Sequence, residues 1–280
     1  MLYVTLNNGI KMPQLGYGVY QVAPEEAERC VLDAISVGYR SIDTAQAYAN
    51  EEGVGEAIAK CGIPREKLFI TTKVWVTNAG YERAKASIEE SLKKLKTDYI
   101  DLLLIHQPFN DYYGTYRAME EAYKEGKVKA IGVSNFYPDR FIDLANFCEV
   151  VPAVNQVEAH VFQQQKVAKE YLKKFNTQIE SWGPFAEGKN DYFNNPVLKE
   201  VGEKYGKSTA QTALRFLLQS GIVVIPKSTH KERMQENFNV FDFELSNQDM
   251  KKLESLDGGA SLFFSHYDPQ TVEWFMSIVK

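Results

Sequence analysis

Cysteine is scarce in this chain. There are three in 280 residues, Cys30, Cys61 and Cys148, and no Cys-x-x-Cys pair among them. An odd number without paired spacing excludes a disulfide framework and a zinc knuckle, so the three read as reduced thiols. Histidine is nearly as rare, with four residues, and His160, His230 and His266 stand at no short spacing that would hold a metal. A metal-dependent hydrolase therefore lacks ligands, and no metal is expected. No stretch approaches the roughly 18 apolar residues that would span a bilayer. The first residues, Met1 to Gly9, lack the basic region and apolar core of a signal peptide, and a cytoplasmic protein is expected. The balance of 32 basic against 37 acidic residues leaves a net charge of −5. No basic run or basic amphipathic helix could track a phosphate backbone or an anionic lipid surface, so neither nucleic acid nor membrane is an expected partner.

Linkers are missing too. Proline (10) and glycine (18) are scattered, and the content of 44% hydrophobic and 25% charged residues suits one large core. A single domain over residues 1–280, working as a monomer, is the expectation. Nucleotide-binding signatures of the glycine-rich kind are also absent. Gly16-Tyr17-Gly18 and Gly53-Val54-Gly55 lack the third glycine of a dinucleotide turn, and Gly206-Lys207-Ser208 has no glycine five residues before it.

What is present is a rhythm. Residues 3–12 alternate around Asn8-Gly9, the signal for a tight hairpin. After it, apolar runs at 15–19, 39–42, 68–73, 100–106, 128–133, 153–157, 177–182 and 222–225 are each followed by a helical pattern. The helix at 24–37 has proline at its start and Gly38 after its end. Runs such as Leu102-Leu103-Leu104-Ile105 and Ile222-Val223-Val224-Ile225 are apolar without alternation, the mark of a parallel sheet covered on both faces. Eight strand-then-helix units in a chain near the roughly 250 residues typical of the fold predict a (β/α)8 TIM barrel, with a doubly wound open sheet as the runner-up.

The strand ends carry the chemistry. Asp43 directly follows the second run and Tyr48 comes five residues later, Lys73 ends the third and His106 the fourth. At the carboxyl face of a parallel barrel these would share one mouth. A phenol, with an ordinary pKa of about 10, needs a nearby cation to become a useful acid, and Lys73 could be that cation. The later strands end in Ser134-Asn135, Gln156, Ser181-Trp182 and Lys227-Ser228, a polar or aromatic residue each time.

Through Gly38-Tyr39-Arg40-Ser41-Ile42-Asp43-Thr44-Ala45 with Tyr48, Lys73-Val74-Trp75, Leu102 to His106, Gly132-Val133-Ser134-Asn135-Phe136 and Ile225-Pro226-Lys227-Ser228, the chain resembles the aldo-keto reductases over essentially its whole length. That resemblance implies a (β/α)8 barrel and reversible carbonyl reduction with NADPH. It matches Asp43, Tyr48, Lys73 and His106 to the catalytic tetrad, with Tyr48 as general acid. It also matches Ser134, Asn135 and Gln156 to contacts of the nicotinamide carboxamide, and Trp182 to a ring stacked on the nicotinamide. Gly183 stands where relatives often have a serine, in the pyrophosphate-side loop with Pro184 and Phe185. Lys227, Ser228 and Arg233 match the 2′-phosphate site, with Glu236 and Asn237 near the adenine.

For the substrate, a small-molecule carbonyl, the resemblance places Tyr20, Trp75, His106 and Gln107 at the mouth, with the tail reaching it through Phe263, Phe264, His266, Tyr267 or Trp274. Gln107 stands where many relatives have tryptophan, which implies a more polar pocket. The closest resemblance is to short bacterial-type members called 2,5-diketo-D-gluconate or methylglyoxal reductases. The alternative is a nucleotide-sensing interaction subunit built on the same fold. Against that alternative, no exposed apolar assembly face is evident in the sequence.

Overall fold

The computed structural model describes residues 2–279. Two short strands, β1 (Tyr3–Thr5) and β2 (Lys11–Pro13), pair antiparallel with Val4 opposite Met12, as the Asn8-Gly9 turn predicts. The strands β3 (Tyr17–Gly18), β4 (Ser41–Asp43), β5 (Phe69–Val74), β6 (Leu102–Ile105), β7 (Ile131–Ser134), β8 (Val154–Glu158), β9 (Gln178–Trp182) and β10 (Val223–Val224) follow. These eight form one parallel sheet in chain order.

The sheet closes on itself. Leu15 bridges Val224 in parallel, the Gly16 amide donates to the Val224 carbonyl at 2.8 Å, and the Val224 amide donates to the Gln14 carbonyl at 3.1 Å. The (β/α)8 barrel is thus the fold, and the open-sheet alternative falls because β10 returns to the chain just ahead of β3. Closure is tight enough that a Cβ on Gly18 would sit 2.9 Å from the Ile225 carbonyl oxygen.

The helices are α1 (Pro24–Val37), α2 (Glu51–Lys60), α3 (Tyr81–Lys94), α4 (Tyr112–Lys124), α5 (Pro138–Phe147), α6 (Lys166–Lys173), α7 (Pro196–Lys204), α8 (Thr209–Gln219), α9 (Lys231–Phe238), α10 (Asn247–Glu254) and α11 (Pro269–Val279). Their ends follow local chemistry. Gly38 closes α1 at φ 127°, donating to the Ala34 and Ile35 carbonyls, a backbone state favouring glycine. Ser208 and Gln211 form a reciprocal capping box on α8, and Asp111 accepts from the Gly114 amide to start α4.

The apolar residues sort into two main clusters. One fills the space between the strands and the helices. The other plugs the amino end of the barrel, where Leu6 and Met12 of the hairpin pack against Phe69, Leu102, Val154 and Val223, each at or near the start of its strand. With that end filled, the carboxyl ends of the strands are left to build a site.

Candidate active site

Parity along β4 and β5 turns Asp43 and Lys73 into the barrel. Asp43 is the last residue of its strand, and Lys73 lies next to the last of its own. Both are buried, and the Lys73 ammonium donates to Asp43 Oδ1 at 2.6 Å and to the Thr44 carbonyl at 2.9 Å. Tyr48 arrives by a single turn of 3₁₀ helix, Gln46–Tyr48, which Ala49 terminates in the left-handed region at φ 56°. Its hydroxyl lies 3.4 Å from Lys73 Nζ. His106 stands one residue past β6, tied back by its amide to the Val74 carbonyl at 3.0 Å. The imidazole meets Tyr48 edge-on, with ring centroids 5.5 Å apart.

Charge follows from this geometry. Burial is the largest single influence and would favour a neutral Lys73, but the charge and hydrogen bond of Asp43, with smaller help from its other neighbours, together outweigh it and hold the ammonium above its ordinary pKa. Burial pushes the Tyr48 phenol up to about 12, with Lys73 pulling against it. The cation acts in the expected direction but does not win, so the phenol keeps its proton across the neutral range. Burial and then Lys73 hold His106 well below its usual pKa, which leaves a neutral imidazole.

The opposite wall gathers the residues matched to the cofactor. Ser134 donates through Oγ to the Gln156 carbonyl at 2.8 Å, and Asn135, held at φ 63°, donates to the His106 carbonyl at 3.0 Å. The Trp182 indole N–H donates to Asn135 Oδ1 at 2.8 Å, which fixes the ring at the end of β9. Gly183 takes φ 60°, and the Pro184 carbonyl accepts from Tyr192 at 2.8 Å. Phe185 packs near Tyr192 and Phe193 in the irregular segment 186–194.

Beyond β10, Ser228 is buried, its carbonyl accepts from Tyr17 at 2.6 Å, and its hydroxyl accepts from the His230 amide. Lys227 and Arg233 are exposed, and neither forms an ion pair among the described residues. That leaves two free cations at the rim, a donor set that fits a phosphate. Glu236 instead accepts from Ser208, and Asn237 is buried.

The Aldo/keto reductase family profile matches residues 8–258. The chain belongs to the aldo/keto reductase family. Its relatives include the glyoxal reductase of Bacillus subtilis strain 168, 48% identical over 256 residues and covering 91% of this chain and 92% of that one. The methylglyoxal reductase of Escherichia coli strain K12 is 43% identical over 262 residues, 92% and 94% of the two chains. The crystal structure of a Bombyx mori aldo-keto reductase in complex with NADP superposes with a TM-score of 0.88 at 32% identity, covering 92% of this chain and 94% of that one. The protein is accordingly an oxidoreductase of carbonyl compounds that works with a nicotinamide cofactor, and no helix among its described residues is long and apolar enough to cross a membrane.

On the substrate side of the reductase, Tyr20 is exposed and packs on Tyr48, while Trp75 packs edge-on against His106 at 4.9 Å. Gln107 faces the tail. It is buried, and its Oε1 lies 2.8 Å from Nε2 of His266, so its oxygen is committed to the tail rather than offered to the mouth. His266 stacks on Phe109 at 5.7 Å, and Phe275 of α11 packs on both Phe109 and Trp75. The tail therefore comes up to the mouth through Phe275 and His266. Trp274 points outward and Phe263 packs against Trp182 at 5.2 Å.

Three supporting groups escaped the sequence reading. Glu158 accepts from the Leu262 amide at 2.9 Å and from Ser261, and lies 2.9 Å from His160, so it anchors the tail to β8. Gln46 accepts from the Trp75 amide and Asn78, both at 2.9 Å, which ties the turn bearing Tyr48 to the segment after β5. Glu180 lies inside the barrel behind Asp43. Strand parity was the one available signal, because Glu180 shares a face with Trp182.

Proposed function

We propose that the reductase converts small aldehydes and dicarbonyls to alcohols with NADPH, and that Tyr48 gives the proton. The observation that carries this reading is the Lys73 ammonium held between Asp43, at 2.6 Å, and the Tyr48 hydroxyl, at 3.4 Å, with a neutral His106 edge-on to the phenol. Reduced nicotinamide, when bound, supplies the hydride. As negative charge builds on the carbonyl oxygen, Tyr48 donates its proton there and Lys73 stabilises the phenolate left behind. The neutral imidazole of His106 orients the carbonyl by a hydrogen bond. Ser134, Asn135 and Gln156 hold the carboxamide, Trp182 stacks on the ring, and Lys227, Ser228 and Arg233 receive the 2′-phosphate. The relatives named glyoxal and methylglyoxal reductase support the substrate class. The chain works as one cytoplasmic, monomeric domain in this reading.

The test is NADPH consumption with glyoxal, methylglyoxal and a bulky aromatic ketone, in wild type and Tyr48→Phe. Wild type turns over the small dicarbonyls well above the ketone, and Tyr48→Phe loses about 10²–10⁴-fold in rate, the range of general acid catalysis, with NADPH affinity unchanged. A variant keeping more than about a tenth of the rate places the proton elsewhere.

A further inference from the structure

Behind the Asp43–Lys73 pair the barrel interior holds a second carboxyl group that the mechanism above does not use. Glu180 lies on β9 directly opposite Gln156 on β8, and it is fully buried. The amide nitrogen of Gln156 donates to Asp43 Oδ2 at 2.8 Å and to Glu180 Oε2 at 2.9 Å. An amide nitrogen has two hydrogens, and both are therefore spent on carboxyl groups. Asp43 sets the orientation of this amide, because a flip would turn the Gln156 carbonyl oxygen against an ionised carboxylate that can only accept.

The two carboxyls are not equivalent. Asp43 receives the Lys73 ammonium on one oxygen and Gln156 on the other. Glu180 receives only Gln156, and its Oε1 is buried with no hydrogen-bond partner among the described residues. A buried carboxylate needs a cation or several donors, and one amide hydrogen supplies neither. The ionised groups facing it are Asp43 from β4, whose charge opposes a second anion, and Lys73 from β5, already engaged by Asp43.

We propose that Glu180 is a positioning residue of the reductase: an uncharged carboxylic acid that holds the Gln156 amide and adds no second anion to Asp43 beside the Lys73 that faces Tyr48. The role rests on the reading of Gln156 as a nicotinamide contact and of Tyr48 as the acid. As an acid, Glu180 accepts from Gln156 through its carbonyl oxygen and adds no charge. Once ionised it becomes a second anion close to Lys73, which weakens the pull of the ammonium on the phenol. Burial, reinforced by Asp43, sets the direction, holding Glu180 far above the ordinary carboxyl range.

The experiment compares wild type with Glu180→Gln, a neutral isostere, and Glu180→Ala. Carbon-13 NMR of cofactor-free protein labelled at the glutamate carboxyl carbons is expected to show one group losing its proton only in the neutral to alkaline range, against an ordinary value of about 4.3, and that signal is missing from Glu180→Gln. The rate of carbonyl reduction falls with this deprotonation in wild type, and that alkaline limb is missing in Glu180→Gln. Glu180→Ala weakens NADPH binding about tenfold, the scale of one neutral hydrogen bond, while Glu180→Gln stays within about twofold of wild type. Titration of Glu180 in the ordinary range, an alkaline limb that persists in Glu180→Gln, or equal NADPH affinity in all three proteins would overturn the proposal. A wild type inactive on every carbonyl would count against the proposed reduction, yet the NMR titration would still decide the protonation state of Glu180.

Discussion

At the scale of single residues, the decisive feature is a lysine with no exposure to water. A buried ammonium survives only when a partner compensates it, and Asp43 at 2.6 Å is that partner. Removing one member of such a pair leaves the other charge stranded, which typically costs about 3–5 kcal/mol. Lys73→Met should therefore be both inactive and destabilised, while Lys73→Met combined with Asp43→Asn should regain most of the stability and none of the activity. Urea unfolding and NADPH consumption on the three proteins check this. A double variant no more stable than the single one would mean that the pair is not what stabilises this part of the barrel. That Asp43, Tyr48, Lys73 and His106 come together was legible in the sequence because each sits at or just beyond the end of an apolar run. Glu180 was not, because a lone carboxyl in a strand reads as an exposed position unless its parity is counted against Trp182.

At the scale of elements, the helices with strong local signals were readable and those without were missed. Helix α1 carries Pro24 at its start and Gly38 at its end, and its bounds agree with the sequence reading. Helix α10 has few apolar residues, and Ser246, whose hydroxyl accepts from the Asp249 amide, marks its start only weakly. The tail was opaque for a different reason. Its contacts join Glu158 to Ser261 and Gln107 to His266, more than a hundred residues apart, and no local pattern records them.

Helix α9 is the element on which the proposed preference for NADPH turns. Arg233 lies in its first turns, exposed and without an ion-pair partner among the described residues, beside an equally exposed Lys227. A guanidinium donating to a 2′-phosphate contributes about 1.5–3 kcal/mol, and NADH offers no such acceptor. Arg233→Ala should weaken NADPH binding by about one to two orders of magnitude and leave NADH nearly unchanged. Tryptophan fluorescence titration with both cofactors measures it, and equal losses would mean that Arg233 serves the adenine or the loop instead.

At the scale of the whole molecule, the closed barrel forces ionisable groups into places where burial decides their charge, and stability inherits their pH dependence. The sequence predicted the barrel from its eight apolar runs, but closure rests on backbone bonds between Gly16, Val224 and Gln14, which no composition reveals. Burial, with Arg140 adding to it and Glu158 opposing, lowers His266 to about 4. His106 is lowered too. A histidine whose folded pKa lies below its unfolded value of about 6.5 contributes stability above that value, and the contribution is lost as pH falls through the folded pKa. Glu180, raised by burial, works with the opposite sign, so its contribution is lost as pH rises. Between about pH 6.5 and pH 5, keeping His266 neutral should cost the fold about 1.6 kcal/mol, a little under the limiting 1.36 kcal/mol per pH unit because the unfolded histidine is already half protonated at pH 6.5. His266→Gln removes one of the two titrations while keeping an amide beside Gln107. It should lower the absolute stability but make the loss between those two pH values smaller than in wild type by about that amount. Urea unfolding of both proteins at the two pH values gives the comparison directly. Parallel losses in wild type and variant would show that His266 binds its proton as readily in the folded barrel as in the unfolded chain, and that the aromatic cluster around it does not exclude the charge.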